Sequence, residues 1–541
     1  MPLADVIFNR NQTGIGRPLP NNDYISSMIF YHDTLPSGFS ASDRIKPIYS
    51  LGDAENLGIL DTFTDETKAS TGGTVLSTVA GTADDIEKII FDGATLGSYT
   101  VITGDAVGDV ATGLAAAVNA LTVQHGWTAT ISTATVTLIP PTGYGAVSQG
   151  ILSYTSSGTT GTATVVQLTG GVGSYQSVMH YHISEYFRLQ PDGKLFLAIY
   201  AENTYDGAEV QTVQEYAEGS IRQFAVFLSH ETFATSHVTA TQTVLDTLET
   251  NDMPCSAIIH VDFTGLALAS LSDLSALTAE RVSVVIGEDG NWHQVAYSNT
   301  KSYLIGDKIS YANKTYICRS PSTGNAPFDT SKWSVISTNI AAISGFTIST
   351  LGTTLGAVSL ASVHENIGWV QKFNLASGNI LDVPAFVTGD LYKAVSDSLR
   401  STLNDSHYIF IRSFIGIYGT FHQDSWTAIA ITNDFAKIEA SRVMDKAVRN
   451  IRTAMIPSIK APIYVDSDGK LSGSTIAIFK NKSDKELDTL ATDLEISAGA
   501  TTINPDQDVL TTEQIVLAVT IVPVGSANEI VINIGFKPNL I

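Results

Sequence analysis

The sequence predicts a multi-domain α/β (α+β) chain in which a core of alternating helices and apolar strands is interrupted by two β-rich insertions. Three observations carry that expectation. Near-continuous apolar strands, such as Lys194-Leu-Phe-Leu-Ala-Ile-Tyr and Ser256-Ala-Ile-Ile-His-Val, are separated by helix-length spacers, as in a sheet covered on both faces. Between about 68 and 172 the composition shifts to Thr, Ser, Gly, Val and Ala with almost no Lys or Arg. Between 291 and 338 lies a turn-rich stretch crowded with Trp292, Tyr297, Tyr303, Tyr311, Tyr316, Phe328 and Trp333. At 541 residues the chain also exceeds what one core organises, so three or four compact units are expected.

In chain order, residues 1 to about 65 read as an extended arm leading into a mixed segment, because Gly14, Gly16, Pro18 and Pro20 block a continuous helix. In the first insertion, Ile89-Ile-Phe-Asp-Gly and Ala129-Thr-Ile-Ser-Thr-Ala-Thr-Val-Thr-Leu alternate like strands, and Asp109 to Leu121 is helical in pattern. Core strands follow at Lys194 to Tyr200, Ile221 to Leu228, Ser256 to Val261 and Arg281 to Gly287, with a helical spacer over Thr239 to Asn251. The core texture resumes after about 340. Asp434 to Arg452 reads as a long helix with Ile438, Val443, Ala447, Val448 and Ile451 near one face and a cationic end that complements the helix dipole. A further helix is expected near Ser483 to Leu494, then strands over Gln514 to Val522 and Asn528 to Gly535.

Composition excludes several functions. The net charge of −23 would repel nucleic-acid phosphates, so no nucleic-acid partner is expected. Cys255 and Cys318, the two cysteines, supply neither a disulfide framework nor a cysteine-based zinc site and read as small buried hydrophobes. The start Met1-Pro-Leu-Ala-Asp-Val-Ile-Phe carries no secretory pattern, and no apolar run is long enough to span a membrane, so cytoplasmic synthesis without membrane insertion is expected.

No motif argues for chemistry. His180-Tyr-His-Ile-Ser-Glu185 gathers two imidazoles and a carboxylate, but on a helix His180 and His182 diverge by about 200°, so a packed helix is the better reading. His364-Glu365 lacks a histidine four residues on, where Gly368 stands. Neither Gly193-Lys194 nor Gly469-Lys470 is followed by Ser or Thr, so no phosphate loop is proposed. The chain reads as a non-enzyme without cofactor or metal.

Long strings of the core resemble a family of contractile-tail sheath proteins from phages and prophages of Bacteroidetes and related bacteria. They include Gly14-Ile-Gly-Arg-Pro-Leu-Pro-Asn, Ser27-Met-Ile-Phe-Tyr-His-Asp-Thr-Leu-Pro-Ser-Gly-Phe-Ser and Tyr49-Ser-Leu-Gly-Asp-Ala-Glu-Asn-Leu-Gly-Ile. His180 to Leu195, Gly219-Ser-Ile-Arg-Gln-Phe and Leu355 to Val370 continue the likeness. Asp434, the Arg442-Val-Met-Asp-Lys-Ala helix and a strand ending Ile534-Gly-Phe resemble sheath proteins generally. On that basis the chain divides into a linking arm (1–22), a sheath core (23–67, 173–290 and 339–514), two inserted modules (68–172 and 291–338) and C-terminal strands with a second arm (515–541).

The second insertion is similar to chitin-binding-type carbohydrate modules through Tyr297, Tyr303, Gly306-Asp307, Tyr311, Tyr316, Pro327 and Trp333, with Tyr297 standing where such modules carry Trp. That resemblance implies Tyr297, Tyr303, Tyr311, Tyr316 and Trp333 as sugar contacts and surface glycans as a partner. The sheath resemblance implies a helical homo-oligomer around a tail tube protein, with baseplate and tail terminator proteins at its ends, located in the virion and assembled in the bacterial cytoplasm. It makes Ile530, Val531, Ile532, Asn533, Ile534, Gly535 and Phe536 an inter-subunit strand. The alternative is a tail-associated glycan-binding adhesin.

Overall fold

A computed structural model describes residues 22–69, 72–145, 151–528 and 530–532. The fold is mixed α/β and multi-domain. The chain divides into two compact units, fewer than its length suggests, because both inserted stretches pack into the larger one. That unit spans Tyr24–Leu360 and Ile367–Ala436; the smaller takes Ala361–Asn366 and the chain from Lys437 on, together with Asp23.

The larger unit is organised by a seven-stranded sheet in the order Ile45–Ile48, Leu195–Tyr200, Ser26–Tyr31, Gln223–Thr232, Ser256–Asp262, Val282–Val285, Tyr408–Ile409. The first pairing is antiparallel and the rest are parallel. Parallel strands buried on both faces draw on apolar runs, and Ser26–Tyr31 is buried throughout, its two serines donating to the Tyr24 and Phe196 carbonyls. The helices Ala208–Tyr216 and Thr235–Thr250 make crossovers between successive strands. Ile29, Val226, Ile259, Val284 and Leu245 belong to the apolar core between them.

Helix Gln176–Leu189 packs on helix Leu351–Leu360 at close range. A β-carbon at Gly352 would stand 2.2 Å from the His182 carbonyl oxygen, and one at Gly356 would stand 2.9 Å from that of Tyr186. Two glycines one turn apart thus let the backbones touch.

The first inserted stretch leaves and re-enters the core at one point, where Thr67 and Val172 exchange backbone hydrogen bonds of 2.9 and 2.8 Å. Inside it, a four-stranded and a three-stranded sheet pack with helix Val107–Ala120. The run read as one strand over Ala129 to Leu138 is a hairpin, Thr128–Ser132 against Thr135–Ile139, turning at Thr133 with φ +55°. The second stretch forms the sheet Lys308–Tyr311, Lys314–Cys318, Trp333–Thr338, plus a short pair, Ser302–Tyr303 with Ser322–Thr323. The two stretches share one hydrophobic cluster, in which Trp127, Tyr144 and Leu152 of the first join Tyr311, Tyr316 and Trp333 of the second.

In the smaller unit, helix Ile438–Met455 and helix Gly473–Thr492 pack together with a two-stranded ribbon, Ile496–Ile503 against Leu517–Pro523. The second helix begins ten residues before its expected start, capped where Ser472 Oγ accepts from Thr475 N–H. Ile438, Val443 and Ala447 are buried as the helical pattern requires, whereas Val448 points outward.

Candidate functional site

Among the described residues no three His, Cys, Asp or Glu side chains group to hold a metal ion, and no helix is long and apolar enough to cross a membrane. The His180 segment is a helix. His180 Nε2 meets Glu55 Oε1 at 3.1 Å on one side, while fully buried His182 has its pKa lowered to about 3 by burial and its Nδ1 accepts from Gly352 N–H. Glu185 pairs with Arg188 at 2.5 Å. The cluster is spent on packing.

A run of exposed apolar residues lies at the end of the smaller unit. The outer edge of Leu517–Pro523 pairs with no strand among the described residues, and Val516, Val519, Val522 and Val524 are exposed. The inner partner is anchored instead: Thr501 donates its N–H to Asp484 Oδ1 at 2.9 Å, and its carbonyl accepts from Lys480 Nζ at 2.6 Å. Gln507 fixes the connecting loop through two hydrogen bonds to the Val516 backbone.

Ile530, Val531 and Ile532 have no secondary structure and are between 71% and 78% exposed. The strand expected from Asn528 is not formed over these three residues, which pair with no strand among the described residues. Asn533, Ile534, Gly535 and Phe536 lie outside the described residues, as does the arm over 1–21.

The other chain end starts from the same unit. Asp23 is gripped by Lys446 at 3.0 Å and Arg449 at 2.5 Å, and Lys446 also reaches Glu495 at 2.6 Å. Burial pulls the Lys446 amine down, but the two carboxylates outweigh it and hold its pKa above the usual value. Buried Arg442 donates to the carbonyls of Ala361 and Ser362, fixing the strap on which Val363 enters the unit's core.

The rings expected to face sugars do not. Tyr297, Tyr303, Tyr311, Tyr316 and Trp333 are between 2% and 7% exposed. Tyr303 lies edge-on to Trp333 at 5.1 Å, Tyr297 meets Trp333 at 90°, and Trp333 Nε1 donates to the Asn325 carbonyl. A ring packed edge and face has no open side for a pyranose, so these five build the module's core.

Where the second stretch leaves the larger unit's core, buried charges meet. Asp289 is pushed up to about 7 by burial while accepting from Asn291; Lys308 bridges Asp382 at 2.7 Å; and His293 Nε2 lies 2.7 Å from Glu288. Lys308 and His293 each meet a carboxylate, whereas Asp289 is held by neutral donors from Asn291 and Leu381.

Sequence reasoning missed two features here. Ile496–Ile503, the partner strand of the ribbon, is built largely of small residues and gives no strong alternation. The grip on Asp23 joins residues more than 400 positions apart, and no local pattern signals it.

No curated protein matches the chain. Solved structures similar to it include the anti-feeding prophage (AFP) helical sheath in its contracted state, with TM-score 0.41 and 15% identity over 66% of this chain and 81% of that one. Another is the AFP baseplate, with TM-score 0.40 and 13% identity over 68% and 87% of the two chains. A third is the PVC sheath complex of an extracellular contractile injection system in its contracted state, with TM-score 0.39 and 15% identity over 67% and 81%. Two family models match, DUF2586 N-terminal domain over residues 3–426 and DUF2586 C-terminal domain over 434–540, and their junction falls near the start of the smaller unit's long segment at Lys437. With nearly the whole chain matched, this protein belongs to the DUF2586 family.

Proposed function

We propose that the chain is the structural subunit of a contractile tail sheath, polymerising as a helical array around an inner tube and contracting to drive that tube through a host envelope. The observation that carries this reading is the ribbon's free outer edge, Leu517–Pro523, followed by exposed Ile530, Val531 and Ile532. A long apolar edge left open in a lone molecule invites aggregation, so a protein that keeps one has a partner strand for it. Asp23, clamped beside Lys446, and Ile530 to Ile532 belong to one compact unit, so arms continuing from these two points reach neighbouring copies from one place. A head-to-tail array follows when each copy both gives and receives such a strand.

Residues 1–22 and 515–541 are the linking arms in this reading, and the remaining partners are the tube, baseplate and tail terminator proteins. Contraction needs no nucleotide if the extended lattice is held by a barrier and the contracted one has more contact between subunits. The test is the chain lacking residues 530–541, imaged by negative-stain microscopy beside the full chain. Hollow striated tubes from the full chain and monomers from the truncation are expected; tubes of normal length from the truncation would refute the linking strand.

A further inference from the structure

Lys308, Asn291, Asp382 and Asp289 converge where the second inserted stretch leaves the core, in an arrangement that exceeds what an ion pair needs. Asn291, on the short 3-10 turn Gly290–His293, is fully buried, and Lys308 reaches it from the strand Lys308–Tyr311. Lys308 Nζ lies 2.9 Å from Asn291 Oδ1 and 2.7 Å from Asp382 Oδ2. The other oxygen of that carboxylate, Asp382 Oδ1, accepts from Asn291 Nδ2 at 2.7 Å. One carboxylate thus touches both the amine and the amide nitrogen, each within the range in which a proton moves directly.

The partners of Asn291 fix which way its amide points. Nδ2 faces three acceptors, namely Asp382 Oδ1, the Asn379 carbonyl at 2.7 Å and Asp289 Oδ1 at 3.0 Å, whereas Oδ1 faces the Lys308 amine. Turned over, the amide would set its oxygen against those acceptors and its N–H groups against an ammonium. Three acceptors outnumber the two N–H bonds of an amide nitrogen but equal the three of an ammonia molecule formed at that place. The surroundings of Nδ2 therefore complement a leaving amine better than a resting amide, which favours the bond-breaking step. Water is also scarce there, since burial pushes Asp289 up to about 7. In such surroundings a proton passing from the Lys308 ammonium to Asp382 removes two charges at once and leaves a neutral, nucleophilic amine.

We propose that Lys308 and Asn291 join in an intramolecular isopeptide bond, formed by the folded chain itself with Asp382 as the proton carrier. The Lys308 nitrogen attacks Asn291 Cγ, and the carbonyl electron pair moves to Oδ1. As that pair returns, the Cγ–Nδ2 bond breaks. Two protons of the Lys308 ammonium pass by way of Asp382 to the departing nitrogen, which leaves as ammonium, so nothing is oxidised or reduced and no co-reactant enters. Asp289 is a positioning residue: its Oδ1 holds both Nδ2 and the Asn291 backbone N–H, the latter at 2.9 Å. The bond spans 17 positions and staples the strand Lys308–Tyr311 to the turn at the root of its module. It does not depend on the sheath reading.

The test is mass spectrometry of the full chain. The parent is expected about 17 Da below its sequence mass, lighter by one ammonia. Its tryptic digest is expected to hold a branched peptide, residues 282–301 joined through Asn291 to residues 302–314, because trypsin does not cut after a lysine whose amine is acylated. K308R keeps a cation for Asp382 but offers no nucleophile, and D382N keeps the shape of the carboxylate but carries no proton. Each variant is expected at its own full sequence mass. A parent at full mass, with residues 302–308 released as an ordinary peptide, would overturn the proposal. So would a deficit that persists in either variant. Should a variant fail to fold, the parent's digest decides alone.

Discussion

Three histidines are buried in the larger unit without charge. Burial lowers the pKa of His182 to about 3, of His260 to about 4 and of His422 to about 3. In the unfolded chain each titrates near its ordinary value of about 6.5. Above that value both states are neutral and nothing is lost. As pH falls below it the unfolded state binds protons that the folded state refuses, so stability drops down to the folded pKa. Each histidine contributes up to about 1.4 kcal/mol per pH unit in that window. The melting temperature is therefore expected to fall between about pH 6.5 and 4, and less steeply in His182→Asn, which retains an acceptor for Gly352 N–H. A variant with the same acid slope as the parent would show that His182 is not neutral in the fold. At this scale the sequence was readable in part: the spacing of His180 and His182 already argued for packing over ligation. The direction of the rings was not readable, because an aromatic-rich stretch has the same pattern whether Tyr303 and Trp333 face a sugar or one another.

The two inserted stretches depend on each other as elements. Their sheets share one cluster, with His125 edge-on to Phe328 at 5.3 Å and Tyr144 in the same apolar group as Tyr311 and Tyr316. Removing either alone strips water-excluding cover from large aromatic side chains, each worth several kcal/mol when truncated in a core. Joining Thr67 to Val172 across a deleted first stretch is thus expected to give an aggregating chain that binds a hydrophobic dye. Deleting residues 293–337 as well is expected to restore solubility, since Trp292 and Asn339 are already joined by a 3.1 Å hydrogen bond. If the single deletion melts like the parent, the shared core is not needed. Legibility varied among elements for a physical reason. Asp92-Gly93, read as the end of a strand-like run, is a turn whose residues accept positive φ cheaply, whereas Thr133 turns with nothing in its identity to signal it. Core strands stood out because burial on both faces demands unbroken apolar runs, and Ile496–Ile503 did not, because a ribbon backed by one helix makes a weaker demand.

For the whole molecule, the net charge of −23 sets a condition on any polymer of it. Copies packed side by side repel until salt screens them, and the Debye length shortens from about 30 Å at 0.01 M to about 8 Å at 0.15 M. The sedimentable fraction is accordingly expected to rise over that range of ionic strength. A fall would mean that oppositely charged patches, not strand pairing, hold the array. The division into two units was only half visible beforehand, since length counts residues but not which insertions share a core. The parallel sheet also places a demand on biosynthesis. Ser27 donates to the carbonyl of Phe196, a residue translated 169 positions later. At roughly 5–20 residues per second the ribosome needs about 8–34 s to deliver that neighbour. Throughout that interval Ser26–Tyr31 is a sticky nascent segment with no edge to join, which makes it a natural client for a chaperone at the exit tunnel.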